Sequence, residues 1–201
     1  MTIFPSLPDD HQLADVFRRF PGSVLPLLEY HDRVLRDASP LTVAERELIA
    51  AYVSGLNACA YCHGSHLLAA RAFGIDEAVF DGLIADVETA NVDPRFKPIL
   101  AYVGKLTREP SKISARDAEA VYAAGWDEEA LFSAVSVCAL FNLMNRIVEG
   151  TGTRLDPLAQ SDEDKAARME RLSGGADPGD PHRGEASYSA LARLWAIPDS
   201  T

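Results

Sequence analysis

Residues 41–74 read LTVAERELIAAYVSGLNACAYCHGSHLLAARAFG. Thr42-Val43-Ala44-Glu45 has the form of a capping box. A threonine and a glutamate three residues on can reciprocally satisfy the free amides that open a helix. The helix it starts carries Glu47 and runs to about Leu56. Asn57 and Ala58 make a short turn or kink. The next helix carries Cys59, Cys62 and His66 and ends before Gly74, which reads as a left-handed C-cap.

The same helical reading extends in both directions, and no run of alternating apolar residues demands a strand. Residues 12–20 form a segment interrupted at Pro21-Gly22. Residues 24–36 follow, with Leu25, Leu27, Leu28, Tyr30, Val34 and Leu35 on the apolar side, and residues 37–40 break that helix. Asp76 is expected to cap a helix through about Val87. Pro94 opens another, which Glu109-Pro110 ends. Ser114 and Asp117 form a second capping box, for a short helix stopped at Gly125. Asp127 starts the longest helix, 128–149, and Gly150 stops it. Its centre, 134–143, is apolar nearly all round and is expected to be buried.

After Gly150 the composition changes. Glycine, proline and charge dominate 151–185, which reads as a surface arm with one short helix around 163–172. Residues 187–197 carry Tyr188, Leu191, Leu194 and Trp195 and are apolar enough to dock on another surface. The expectation is an all-α fold with residues 1–150 as a helical domain and 151–201 as a C-terminal arm with a short docking helix.

The chain has 201 residues, 47% hydrophobic and 24% charged, which suits one globular domain with a sizeable core. A formal net charge of −11 disfavours nucleic acid and anionic membrane surfaces as partners. No apolar run reads as a membrane-spanning helix. The start of the chain has no basic region and no apolar core, so it does not read as a signal peptide. The expected location is therefore the cytoplasm. There a close cysteine pair is more often catalytic, redox-sensing or metal-binding than a structural staple.

Glu47, Cys59, Cys62 and His66 make the pattern E-x11-C-x2-C-x3-H. On a helix Cys59, Cys62 and His66 share one face. His66 lies one turn beyond Cys62, close enough to take its proton, and Cys59 lies nearly one turn before it, close enough to close a disulfide. Cys59 also falls in the first turn, where the helix dipole lowers a thiol pKa. Glu47 has Ala51 and Ser54 on its own face, small residues that admit another helix. A carboxylate there needs a partner, and His66 is the obvious one. The set supplies a nucleophile, a resolving thiol, a base and a group to orient it, and it reads as thiol redox chemistry.

Competing readings are weaker. Structural zinc needs more ligands than the pair plus His63 or His66, and Cys138 is distant. The pattern C-x-x-C-H matches c-type haem attachment, which requires export. No metal or cofactor is therefore expected. Glu47 as a solvated helix glutamate remains open on spacing alone. Cys138 reads as a small core residue, and His11, His31 and His182 read as surface residues. Asn142, Asn145 and Arg146 read as groups that satisfy backbone or an interface, with a substrate contact left open.

This pattern, with residues 106–150 and their LFNLMNR run at 140–146, resembles the alkylhydroperoxidase AhpD-like branch of the carboxymuconolactone decarboxylase superfamily, in its peroxidase-related subgroup. The resemblance covers roughly residues 6–150. It implies an AhpD-like helical bundle, oligomeric through helices shared across an interface, and reduction of a peroxide substrate by the cysteine pair. By position, Cys62 becomes the attacking thiolate, Cys59 the resolving cysteine, and His66 and Glu47 the proton relay. It also implies an external dithiol reductant, of lipoyl or thioredoxin type. Tyr61 departs from the pattern, because the best-known members have a histidine immediately before the second cysteine. Two alternatives differ in class: a carboxymuconolactone-decarboxylase-like enzyme acting on a small lactone or acid, and a non-catalytic thiol redox sensor. The tail 187–197 is expected to pack on a neighbouring subunit of a homo-oligomer.

Overall fold

The structure is a computed structural model that describes residues 3–174 and 187–198. Nine helices occur among them: α1 Leu13–Arg19, α2 Val24–Leu35, α3 Val43–Leu56, α4 Ala60–Ala72, α5 Lys97–Arg108, α6 Ala115–Ala123, α7 Glu128–Thr151, α8 Asp162–Gly174 and α9 Tyr188–Leu194. No strand occurs among the described residues, so the chain has the all-α fold its patterning dictates.

The α3–α4 hairpin is the heart of the bundle. Thr42 accepts from the Glu45 amide while the Glu45 carboxylate accepts from the Thr42 amide, so the capping box forms as read. The turn that follows places Ala58 at φ 54, a left-handed conformation that brings α4 back along α3. Their facing surfaces are small: Ala50, Ala51, Ala69 and Ala70 are buried, and His63 Nδ1 donates to the Ala51 carbonyl at 2.9 Å. Two acidic or basic side chains inside such a close interface must meet each other or lose their hydration unrewarded.

α5 and α7 cover the other side of α3. Gly104 of α5 lets Tyr52 in, since a Cβ there would stand 2.8 Å from the Tyr52 hydroxyl. α7 is locked to the hairpin turn by polar contacts: Asn57 donates to Asn145 Oδ1 at 2.8 Å and to Asn142 Oδ1 at 3.2 Å, and Asn145 donates to Ser54 at 3.0 Å. Arg146 bonds back to the Asn142 carbonyl one turn earlier. Cys138 is a core residue, as read.

Several local expectations are corrected. Residues 76–87 do not make an α-helix. Asp76 caps a single 3-10 turn, Glu77–Phe80, and turns follow it, with Gly82 at φ 75. α5 starts at Lys97 rather than at Pro94. α7 runs through Gly150 and stops at Gly152, which takes the left-handed C-cap at φ 81. That helix is also long and apolar enough to cross a membrane by length and composition, although half of its apolar stretch is buried in the bundle.

His11 and His31 are buried at 4% and 3% exposure, not on the surface. His11 Nδ1 and Nε2 lie 2.8 and 2.9 Å from the carbonyls of Pro8 and Thr151, tying the N-terminal segment to the end of α7. His182 lies outside the described residues.

The tail docks on α2 of its own chain. The reason is Asp32. Its carboxylate accepts from the backbone amides of Tyr188 and Ser189 at 2.6 and 2.9 Å, and from the Ser187 hydroxyl at 2.9 Å. A residue 155 positions away thus caps α9 and meets its positive end with a negative charge.

Candidate active site

Glu47 sits on the buried face of α3 with 0% exposure. Its Oε2 lies 2.5 Å from His66 Nδ1 on α4, so the carboxylate is paired rather than solvated. Its other oxygen, Oε1, receives Arg36 Nη1 at 2.6 Å, and the Arg36 side chain is 1% exposed. Burial alone would push the Glu47 carboxyl up, but Arg36 and then His66 outweigh it and hold it down at about 2. The carboxylate is therefore ionised, and it fixes His66 with Nδ1 turned inward.

Two further rings pack on this pair. Tyr188 of α9 lies nearly parallel to His66, with centroids 6.4 Å apart and planes 14° from coplanar. Its hydroxyl stands 3.4 Å from Glu47 Oε1. Arg36 lies over the Tyr188 ring at 5.0 Å, a cation–π contact, and over Phe73 at 5.1 Å. His31 stacks beside Tyr188 at 4.9 Å and donates to the Leu27 carbonyl. Burial pulls His31 down to about 4, so it is neutral at neutral pH. Phe141 closes the far side of His66 at 4.3 Å.

The thiols lie at the start of α4. Cys59 is its N-cap residue, wholly buried, and Cys62 is 3% exposed. Both are free thiols and near neighbours. The adjoining Cys62 thiol favours a thiolate at Cys59, and the same contact, with burial, pushes Cys62 up. Asn145 contacts Cys62 and favours its ionised form, whereas Glu149 opposes it. No hydrogen bond joins Cys62 to His66 among the described residues. Instead both line one cavity of about 450 Å³, and Cys59 does not.

Of the residues singled out from the sequence, the fold joins Glu47 of α3 to His66 of α4 and sets Cys59 beside Cys62 at the start of α4. Sequence reasoning did not bring Arg36, His31 or Tyr188 to the Glu47–His66 pair. His31 had a signal: it falls on the same α2 face as Leu28 and Leu35, both buried. Arg36 and Tyr188 had none, because each gains its role only from the tertiary fold. Among the described residues no three His, Cys, Asp or Glu side chains converge as a metal site.

The model of the carboxymuconolactone decarboxylase family matches residues 25–105. That segment holds α2, α3 and α4 and thus Arg36, Glu47, both cysteines and His66. Two solved structures share the fold. One, titled alkylhydroperoxidase AhpD core, an uncharacterized peroxidase-related protein from Ralstonia eutropha JMP134, is 24% identical. It superposes with a TM-score of 0.68 over 77% of this chain and 79% of its own. The other, an uncharacterized peroxidase-related protein from Silicibacter sp. TM1040, is 25% identical, with a TM-score of 0.65 over 71% of this chain and 74% of its own. No match was found among curated proteins. Over residues 25–105 the chain is thus similar to the carboxymuconolactone decarboxylase family, and its fold is that of the AhpD-like, peroxidase-related structures.

Proposed function

We propose that the chain reduces hydroperoxides with its cysteine pair. The observation that carries this reading is the cavity lined by both Cys62 and His66, with Glu47 holding His66 from behind. Cys62, as thiolate, attacks the terminal peroxide oxygen. The O–O bond breaks, Cys62 becomes a sulfenic acid, and the leaving alkoxide takes a proton to give the alcohol. His66 is the group that handles that proton. It reaches the reacting atoms across the cavity, through the substrate or a water molecule, and Glu47 holds its orientation.

Cys59 then attacks the sulfenic acid, forming the Cys59–Cys62 disulfide and releasing water. An external dithiol, of lipoyl or thioredoxin type, reduces the disulfide by exchange. Accessibility supports Cys62 as the attacking thiol, since Cys59 does not reach the cavity. The Cys59 thiolate that its neighbour favours is the resting store of charge in the pair.

The test is steady-state consumption of an organic hydroperoxide with a panel of dithiols, alongside mass spectrometry. The expected result is turnover, a two-proton mass loss on oxidation, and no turnover in Cys62→Ser. Oxidation to the disulfide without turnover under any dithiol would replace this reading by that of a redox sensor. An oxidant-insensitive pair would refute both.

A further inference from the structure

One wall of the cavity that holds Cys62 is built by the chain beyond residue 150. Leu172 of α8 and Leu191, Leu194 and Trp195 of the α9 region line it opposite Phe17 and Met144. Its size falls among small-molecule pockets, which run from about 300 to 1,000 Å³. Its walls are chiefly apolar, and the charged groups among them are mostly positive. Four arginines and a single aspartate line it, in a chain whose net charge is −11.

Two of these charges are accounted for locally. Arg18 pairs with Asp15 at 2.9 Å, and Arg36 with Glu47 at 2.6 Å. Arg168 is different. It is half-buried on α8 and lies against the Tyr61 hydroxyl, the residue adjoining Cys62. No carboxylate among the described residues pairs with it. A guanidinium carries five N–H donors, and one tyrosine hydroxyl cannot satisfy them. On the same cavity wall Ser65 buries a hydroxyl that has no hydrogen-bond partner among the described residues.

An apolar cavity with a half-buried arginine unmatched by any carboxylate among the described residues calls for a ligand with an apolar body and an acidic end. Planar carboxylates match the guanidinium fork best. We propose that the cavity binds amphipathic carboxylic acids, with Arg168 as the residue that selects the carboxylate. Resting on the peroxidase reading, the substrate class is then a hydroperoxide of such an acid, reduced to its hydroxy acid.

The experiment separates binding from turnover. Trp195 lines the cavity and reports occupancy by its fluorescence, in a Trp126→Phe background that removes the other tryptophan. The probes are decanoate and 1-decanol, which share a body and differ at the polar end. Decanoate is expected to saturate the signal and to bind about tenfold or more tighter than the alcohol. Arg168→Gln is expected to bring the two to one affinity, and Arg168→Lys to keep part of the preference. Equal affinities in the parent protein, no saturable decanoate signal, or an undiminished acid preference in Arg168→Gln would each overturn the proposal. A protein that binds decanoate as expected but never reduces a hydroperoxide would instead sink the peroxidase reading and leave this one standing.

Discussion

Arg36 and Glu47 form a salt bridge sealed from solvent, with Nη1 and Oε1 2.6 Å apart and side chains 1% and 0% exposed. Each charge depends on the other, because neither can recover its hydration where it stands. Removing one partner is worse than removing both. Glu47→Gln or Arg36→Met alone is expected to destabilise the fold by about 3–5 kcal/mol. The double substitution Arg36→Met, Glu47→Met should lose less than either single change. Urea denaturation of the four proteins completes the cycle, and a double variant weaker than both singles contradicts the argument.

His31 sets an acid limit on stability. Its pKa is about 4 in the fold, where burial opposes the cation, against an ordinary value of 6.5. As pH falls from 6.5 to 4 the unfolded chain takes up a proton that the folded one refuses, so stability falls with it. Glu47 contributes in the same direction lower down, between 4.5 and about 2, where its stabilising ionised form is lost. Stability is expected to drop by on the order of 2 kcal/mol from pH 7 to pH 5 on account of His31. His31→Gln should flatten that interval. An equally steep fall in the variant assigns the effect elsewhere.

The two thiols titrate as a pair. Cys59 favours its thiolate through Cys62, and Cys62 is held up by Cys59. Cys59→Ser is therefore expected to lower the pH midpoint for alkylation of Cys62 by about one unit. Cys62→Ala should raise the midpoint of Cys59. Peptide mass mapping of alkylation against pH reads both shifts, and unmoved midpoints dissolve the coupling.

Asp32 holds α9 in place by accepting from two backbone amides and the Ser187 and Ser189 hydroxyls. Asp32→Ala leaves those donors without their acceptor, and α9 with its Tyr188 should come away from His66. The expected signs are faster protease cleavage near the C-terminus and a red-shifted Trp195 emission, with a loss of about 2 kcal/mol in stability. Unchanged proteolysis and emission would show that apolar packing alone seats the helix.

α7 presents an apolar stripe outward. Phe132 is 72% exposed and Leu143 47% exposed, and both lie on one helical face with Ser136 and Ala139. Two helices of this kind cover each other well. The chain is expected to form a dimer or larger homo-oligomer through this face, measured by light scattering. Phe132→Glu should shift the mass toward the monomer. A parent protein that is monomeric at micromolar concentration refutes the assembly.

Much of this was readable from local chemistry. The Thr42–Glu45 box, Gly74 and the small residues facing Glu47 are short-range signals, and they locate the hairpin and its four polar residues. Residues 76–87 misled because an Asp cap can serve one turn as well as a helix, and Gly82 then breaks the path. His31 misled because its neighbours Tyr30, Asp32 and Arg33 are polar while its own helical face is not. Arg36 looks like the solvated last residue of the second helix, and only the closure of α2 against α3 buries it. Tyr188 and Arg168 act through contacts with the distant hairpin, and no local pattern encodes such contacts.

The order of synthesis makes the docking of α9 consequential. Glu47, the cysteines and His66 leave the ribosome long before Tyr188, and 155 positions separate Asp32 from the serine it binds. The α3–α4 hairpin closes on local contacts and can form early. The nascent chain thus passes through a stage in which the thiols are in place but their roof has not been made. Until α9 has been made and has docked on Asp32, the wall that Tyr188, Leu191 and Trp195 supply is missing, and the cavity at Cys62 stands open on that side.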